Sequence, residues 1–176
     1  FVATLLFAVF VSCQTPVRPT LSDNFVAEGT YKIERGHELK RTLEGRWLSD
    51  FTGKRERFDV TTSHVGDILL LKIWNGTQGG NEYELIHGHQ QCHKRAFKQH
   101  HYGAFDFVPH SKNTGVCTAN GKHVGKKGAL WSVEVKDAFQ FALCASNDGK
   151  TPYWIERHHL VEDKLSVVVS FHEYHE

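Results

Sequence analysis

The sequence predicts an all-β protein with minor helix, whose antiparallel strands enclose an apolar interior. Three observations predict this class. Apolar residues recur mostly with a period of two, the spacing that places alternate side chains on one face of a strand. Turn signals rich in glycine, asparagine and aspartate separate these segments at hairpin-like spacing. No alternation of strands with helices is visible, so we expect either a closed barrel or two strongly curved sheets.

The strand segments follow one another along the chain, and with their turns they amount to roughly nine or ten strands. The sharpest turn is Asn147-Asp148-Gly149, because Asp-Gly supplies the positive φ angles that a tight hairpin turn needs. Helix signals are confined to a short turn over Gln91 to Gln99 and another near Ser111. The apolar patterns that mark strands are Phe25 to Tyr31, Phe58 to Val60, Ile68 to Ile73, Tyr83 to Leu85, Trp131 to Val135, Phe139 to Leu143 and Leu165 to Phe171.

Length and charge limit the function classes. The chain has 176 residues, which fits one domain. Its 21 basic and 20 acidic residues give a net charge of +1, so no strong field favours nucleic acid or an anionic membrane. Hydrophobic residues make up 40% of the chain, a content that predicts a packed interior rather than disorder.

The first residues have the pattern of a targeting sequence. Phe1 to Val11 is apolar except for Thr4, which is typical of the core of a secretory signal peptide, and we place cleavage near Cys13. We therefore expect a signal peptide, truncated at its start, over 1–13 and a single secreted domain over 14–176. A buried strand and a bacterial lipoprotein signal ending at Cys13 are the alternatives. No later segment is long enough to span a bilayer.

If the chain is secreted, its cysteines and one glycosylation sequon gain a specific interpretation. The mature chain keeps Cys92, Cys117 and Cys144, so at least one disulfide is expected in an oxidising compartment. The absence of any Cys-x-x-Cys pair argues against a zinc knuckle or a redox site. Asn75-Gly76-Thr77 is an N-glycosylation sequon in a glycine-rich turn, which predicts glycosylation of Asn75.

No recognisable catalytic or nucleotide-binding motif is present. The chain lacks Gly-x-Ser-x-Gly, phosphate-binding glycine loops, HExxH and EF-hand patterns, so we predict a non-enzymatic protein that requires no cofactor. Histidine is abundant, with 13 residues, and both a metal site and titrating surface histidines stay open as interpretations. The clusters concerned are His87, His89 and His93, His100-His101, His158-His159 and His172-x-x-His175.

Two local features have alternative interpretations. The basic segment Gly121 to Gly128 is predicted to be a solvated hairpin loop, with anion binding as the alternative. Gly45-Arg46-Trp47 matches the Gly-x-Trp pattern that opens lipocalin barrels, but here a complete predicted strand precedes it. A lipocalin-like carrier therefore stays an alternative.

The order of short motifs along the chain resembles the ependymin and ependymin-related family of secreted glycoproteins. The resemblance covers roughly Pro16 to Phe171. The matching motifs are Pro16 to Pro19 followed by Phe25 to Gly29, Phe51 to Asp59, Ile68 to Leu71, Tyr83 to Ile86 leading to Cys92-His93-Lys94, Phe107-Val108-Pro109, Trp131 on a strand, and Thr151-Pro152-Tyr153 near a valine-rich final strand.

The resemblance implies two stacked, curved antiparallel sheets around a deep hydrophobic pocket, similar to the fold of bacterial lipoprotein carriers. It also implies an extracellular or lysosomal glycoprotein, often dimeric, associated with calcium and with cell-matrix adhesion, although no motif here assigns calcium to particular residues. By position it pairs Cys92 with Cys144 and leaves Cys117 free or available for an intermolecular bridge. A bridge between Cys92 and Cys117 is the rival.

The leading hypothesis is a secreted protein that binds a lipid or another hydrophobic molecule in the pocket between the sheets. Burial of an acyl chain at roughly 0.8 kcal/mol per CH₂ would supply the affinity. An adhesive matrix protein that acts through metal-dependent self-association is the alternative. The predicted pocket wall, for whose members ordinary core packing is the competing interpretation, consists of Trp47, Leu70, Tyr83, Phe107, Trp131, Phe141 and Tyr153.

Overall fold

The structure is a computed structural model that describes residues 15–35, 38–62, 66–76, 78–87, 91–136, 138–160 and 165–176. The expected signal peptide over 1–13 lies outside these residues. Eleven strands are present in the described part of the chain. They are β1 (Asn24–Arg35), β2 (Glu38–Asp50), β3 (Arg55–Thr62), β4 (Gly66–Trp74), β5 (Gln78–Ile86), β6 (Gln91–His100), β7 (Lys112–Thr118), β8 (Lys127–Val135), β9 (Phe139–Ala145), β10 (Pro152–His159) and β11 (Leu165–His175).

All eleven strands belong to one sheet, in the order β6-β5-β4-β3-β2-β1-β11-β10-β9-β8-β7. Every neighbouring pair is antiparallel, so the predicted all-β antiparallel class is confirmed. The strands form one continuous sheet, because β1 bonds to both β2 and β11 and joins the two halves.

The prediction of helix over Gln91 to Gln99 is also wrong, since this segment is the edge strand β6. Its described side chains are almost all exposed, so it lacks the apolar alternation that marks a half-buried strand. Helix in the described residues is limited to two short 3₁₀ turns, Val108–His110 beside the predicted Ser111 position and Gly121–His123 in the basic loop.

One face of the sheet carries the main core, and we call it the inner face. Alternation along each strand and the register between strands bring inward residues of neighbouring strands side by side. Trp47 lies opposite both Ala27 and Phe58, with ring centroids 5.2 Å from Phe58 and 4.9 Å from Phe25. The buried members of this core are Phe25, Ala27, Trp47, Phe105, Val108, Ala129, Trp131, Leu143, Ala145, Val169 and Phe171.

The connection 101–111, between the edge strands β6 and β7, packs on the inner face. Phe105 is buried with its ring centroid 5.6 Å from Phe25 and 6.2 Å from Phe171. Val108 belongs to the same buried cluster. We call this segment the crossover, because it links the two edges of the sheet while covering part of its middle.

The disulfide joins Cys117 on β7 to Cys144 on β9. It lies in a second buried cluster with Ala119 and Tyr153. The expected Cys92–Cys144 pairing is therefore wrong, as is the rival Cys92–Cys117 pairing, and Cys92 is a free, exposed cysteine. The sheet order gives the reason, because seven strands lie between β6, which carries Cys92, and β9.

Peptide mapping under non-reducing conditions, with free thiols alkylated first, tests this connectivity. We expect a linked pair of peptides containing Cys117 and Cys144, together with an alkylated Cys92 peptide. A linked Cys92–Cys144 peptide would contradict the structure.

Removing the disulfide should also lower stability. The bond closes a sequence separation of 27 residues, and chain entropy for such a loop predicts that the double variant Cys117→Ala, Cys144→Ala loses about 3 to 4 kcal/mol in urea unfolding. The matched control is Cys92→Ala, which removes an exposed thiol and should leave the free energy of unfolding nearly unchanged.

Candidate functional site

The candidate site is a row of inner-face residues on five neighbouring strands. In register from β8 to β1, Val133 lies opposite Phe141, Phe141 opposite Arg157, Arg157 opposite Val167, and Val167 opposite Ile33. All of these residues except the arginine are apolar. We call this set the Arg157 row.

The Arg157 row lies immediately beside the buried core but is not itself buried. The parallel row one step along the same strands contains the buried residues Trp131, Leu143 and Val169, together with Ile155 and Tyr31, which are partly buried. By contrast, the apolar members of the Arg157 row are only partly buried and Arg157 is exposed. The crossover thus covers one part of the inner face and leaves an adjoining apolar part with solvent access.

Aromatic rings support the arginine. The guanidinium carbon of Arg157 lies 4.1 Å from the ring centroid of Phe139 and 5.8 Å from that of Phe141. Phe141 is in turn stacked on Phe107 of the crossover, with centroids 5.2 Å apart. A cation over aromatic faces is attracted by the negative face of the ring. Phe139 therefore helps to hold the guanidinium against the apolar surface.

Arg157 has no acidic partner among the residues that the structure describes. Its recorded contacts there are the two aromatic rings. Partial burial lowers the pKa of Arg157, and no opposing charge raises it. Because a guanidinium stays protonated in proteins, this side chain is a permanent cation on an apolar surface.

The other half of the inner face, on β3 to β6, includes a row of charged residues. Glu56, Lys72, Glu82 and Arg95 lie opposite one another in register across β3 to β6. Glu82 is buried; it forms an ion pair with Arg95, and one of its carboxylate oxygens lies 3.7 Å from Lys72 Nζ. Acidic and basic groups thus alternate across this half. We call these four residues the charged ladder.

Glu56 is the member of the charged ladder whose pKa is shifted by burial. Burial raises the pKa of Glu56 to about 7, while the nearby Lys72 cation acts in the opposite direction. Asp23, which accepts a hydrogen bond from the backbone N–H of Phe105 in the crossover, adds a smaller upward contribution. The inner face therefore carries the apolar Arg157 row on one side and the charged ladder, beside further apolar residues, on β3 to β6.

The seven predicted wall residues do not share one surface. Trp47 and Trp131 are buried in the main core, Phe107 packs against it, and Leu70 is a partly buried inner-face residue opposite Phe58. Only Phe141 belongs to the Arg157 row.

The expectation of a common wall is wrong for Tyr83 and Tyr153. The register of β5 places Tyr83 on the outer face, where Lys94 Nζ lies 5.6 Å from its ring centroid. Tyr153 packs beside the disulfide, next to a register shift in β10. Ligand binding by the remaining five residues stays a prediction.

Sequence reasoning missed Arg157. The signal that could have found it is its inward position two residues after Ile155, in a strand whose apolar alternation is interrupted by the arginine. The interruption hid the strand pattern. Of the two aromatic partners, Phe141 was predicted to line the pocket, whereas Phe139 was recognised only as a strand residue.

A separate groove of about 400 Å³ opens near the start of β1 and the end of β11. None of the seven predicted wall residues lines it, and several of its lining residues are polar or charged. The lining residues are Asn24, Phe25, Val26, Ser49, Asp50, Thr52, His175 and Glu176.

The glycosylation sequon and the histidine clusters lie only partly within the residues that the structure describes. Asn75 is exposed in the turn after β4, but Thr77 of its sequon lies outside the described residues, as does His89. Among the residues that the structure describes, no group of three or more histidine, cysteine or acidic side chains is arranged to hold a metal ion. Glycosylation and calcium binding stay predictions.

No protein-family model matches the sequence, and no curated protein matches it. Among solved structures, the fold is similar to a LolA superfamily protein from Nitrosomonas europaea, with a TM-score of 0.40 and 9% identity over 89% of this chain and 87% of the other. It is also similar to a putative outer membrane lipoprotein-sorting protein domain from Vibrio parahaemolyticus, with a TM-score of 0.39 and 8% identity over 86% and 84% of the two chains.

A third similar structure is that of MucA and MucB from Pseudomonas aeruginosa, with a TM-score of 0.34 and 15% identity over 87% of this chain and 52% of that one. Likenesses of this degree say nothing about what this chain binds. The described residues also contain no helix with the length and apolarity that a membrane crossing requires.

The raised pKa of Glu56 predicts a pH-dependent effect on stability. Between its ordinary value of 4.5 and about 7, the folded protein keeps a proton that the unfolded chain has released. The contribution from neutral Glu56 is therefore full at low pH and is lost as the pH rises through about 7. We expect Glu56→Gln to match the wild type at about pH 4 and to exceed its free energy of unfolding at about pH 8 by on the order of 2 kcal/mol.

Urea unfolding of both proteins at the two pH values measures this difference. The control is Glu44→Gln, which changes the same charge at an exposed position of β2 and should show no such pH-dependent gain. A Glu56→Gln protein that is no more stable than the wild type at the higher pH would contradict the assigned burial of this carboxylate.

Proposed function

We propose that this protein is a non-enzymatic binding protein that holds a hydrophobic ligand, a lipid, on the inner face of β8 to β11. The observation that carries the proposal is the Arg157 row, an apolar strip that continues the buried core without being buried itself. Contiguous apolar surface that keeps solvent access is typical of binding sites in soluble proteins.

The energetic argument follows from area. Each CH₂ group that leaves water for an apolar surface contributes roughly 0.8 kcal/mol. An acyl chain that covers the side chains of Val133, Phe141 and Val167 therefore gains affinity without many polar contacts. This surface adjoins the main core through Phe107, which packs on both Phe141 and the core cluster, so its shape is set by rigid packing.

Val133→Asp should weaken binding of a neutral apolar dye, N-phenyl-1-naphthylamine, at least about tenfold, because a carboxylate in the Arg157 row must be desolvated when the dye binds. Fluorescence titration measures the change. The matched control is Val168→Asp, which places the same carboxylate at a partly buried outer-face position of β11 and should leave dye affinity unchanged. Equal affinities in all three proteins, or no dye binding by the wild type, would contradict the proposed site.

We also propose, from the resemblance alone, that the chain is a secreted glycoprotein of the ependymin-related type, with calcium binding, cell-matrix adhesion and a dimeric form, in the extracellular space or the lysosome. The exposed position of Asn75 is compatible with glycosylation, and the free Cys92 on an edge strand leaves a thiol available for a bridge between subunits.

Light scattering of the secreted protein with calcium and with chelator tests the adhesive role. That role requires an increase in particle mass when calcium is present, because self-association would be metal-dependent. A particle mass that is indifferent to calcium would remove this role and leave the binding role as the sole proposal.

A further inference from the structure

We infer that the ligand is a long-chain fatty acid whose carboxylate pairs with the guanidinium of Arg157. This inference deepens the proposed function and rests on it, since it needs the acyl chain to lie on the Arg157 row. The charge of Arg157 is the evidence for the carboxylate head group, whereas the apolar area of the row is the evidence for the acyl chain.

The first step is the state of the arginine. Its recorded contacts in the described part of the chain are the rings of Phe139 and Phe141, so the aromatic residues support the cation without neutralising it. Partial removal from water makes an unpaired charge unfavourable, which is the reason that the pKa of Arg157 is lowered. An anion that arrives with an apolar ligand removes this penalty and receives charge-assisted hydrogen bonds.

The second step is geometry. The recorded contacts of Arg157 in the described part of the chain are with aromatic rings, so its N–H donors have no recorded acceptor there. The planar fork of these donors matches the two oxygens of a carboxylate. Arg157 therefore keeps donors available for a carboxylate while its guanidinium carbon lies 4.1 Å from the ring centroid of Phe139.

The third step is the position of the cation relative to apolar residues. Arg157 lies in the row between Phe141 and Val167, and the next inward residue of its strand is Ile155, which packs against the main core. A chain attached to a carboxylate at Arg157 thus meets apolar side chains at once. One guanidinium and one carboxylate balance in charge, which favours a fatty acid as the occupant.

Displacement of N-phenyl-1-naphthylamine by two ligands of equal chain length tests the inference. Oleate carries the carboxylate, and oleyl alcohol replaces it with a neutral hydroxyl. For the wild type we expect oleate to displace the dye at a concentration at least about tenfold lower than oleyl alcohol does, which corresponds to one charge-assisted hydrogen-bonded contact. Arg157→Gln should abolish this preference, so that oleate and oleyl alcohol displace the dye at similar concentrations.

Two further variants separate charge from general damage. Arg157→Lys keeps the positive charge but loses the planar fork, so the preference for oleate should be reduced but not abolished. Arg46→Gln removes an exposed outer-face arginine of β2 and should behave as the wild type.

The outcomes distinguish the two proposals. Dye binding with equal displacement by oleate and oleyl alcohol, or an oleate preference that survives in Arg157→Gln, would overturn the assignment of the carboxylate to Arg157 and leave the binding site standing. If the wild type binds neither the dye nor either ligand, the proposed function itself fails.

Discussion

The structure depends on how one open sheet covers its inner face. Eleven strands in a single order leave two edges and one apolar face that must be removed from water. The crossover performs this role, because Phe105 and Val108 are buried against the middle of the sheet. The segment that precedes β1 holds the crossover in place: Arg18 donates to the carbonyl oxygen of Pro109 at 3.0 Å, and Asp23 accepts from the N–H of Phe105 at 2.8 Å.

The reach of this cover determines which part of the inner face keeps solvent access. The buried row through Trp131 and Leu143 belongs to the covered region, while the Arg157 row one step further along the strands keeps solvent access. The site is therefore a continuation of the core and needs no separate architecture. Phe107 links the two regions, since it packs against the core and stacks on Phe141.

A strand could be predicted from the sequence where its apolar alternation is uninterrupted. Strands with one buried face, such as β1 and β11, show the alternation of Phe25 to Tyr31 and Leu165 to Phe171 and were predicted. The edge strands β6 and β7 expose most of their described side chains on both faces and have no such pattern, so neither was found.

Contacts between residues on different strands could not be predicted from the sequence either. The charged ladder joins residues from four strands, and the disulfide joins Cys117 to a strand two positions away in the sheet. Both depend on the order and register of the strands, which spacing along the chain does not reveal. The contact of Arg157 with its two aromatic neighbours also depends on register, because Phe139 and Phe141 belong to the preceding strand.

The charged ladder and the Arg157 row together favour one orientation of the fatty acid that we propose. An acyl chain gains nothing on the charged ladder, where it would remove water from Glu82, Lys72 and Arg95 without replacing their hydration. Glu56 on the same half repels a carboxylate whenever it is ionised, and its pKa of about 7 places that change near neutral pH. For the fatty acid that we propose, these charges favour placement of the chain on β8 to β11, with the head group at Arg157, whose charge has no acidic partner among the described residues.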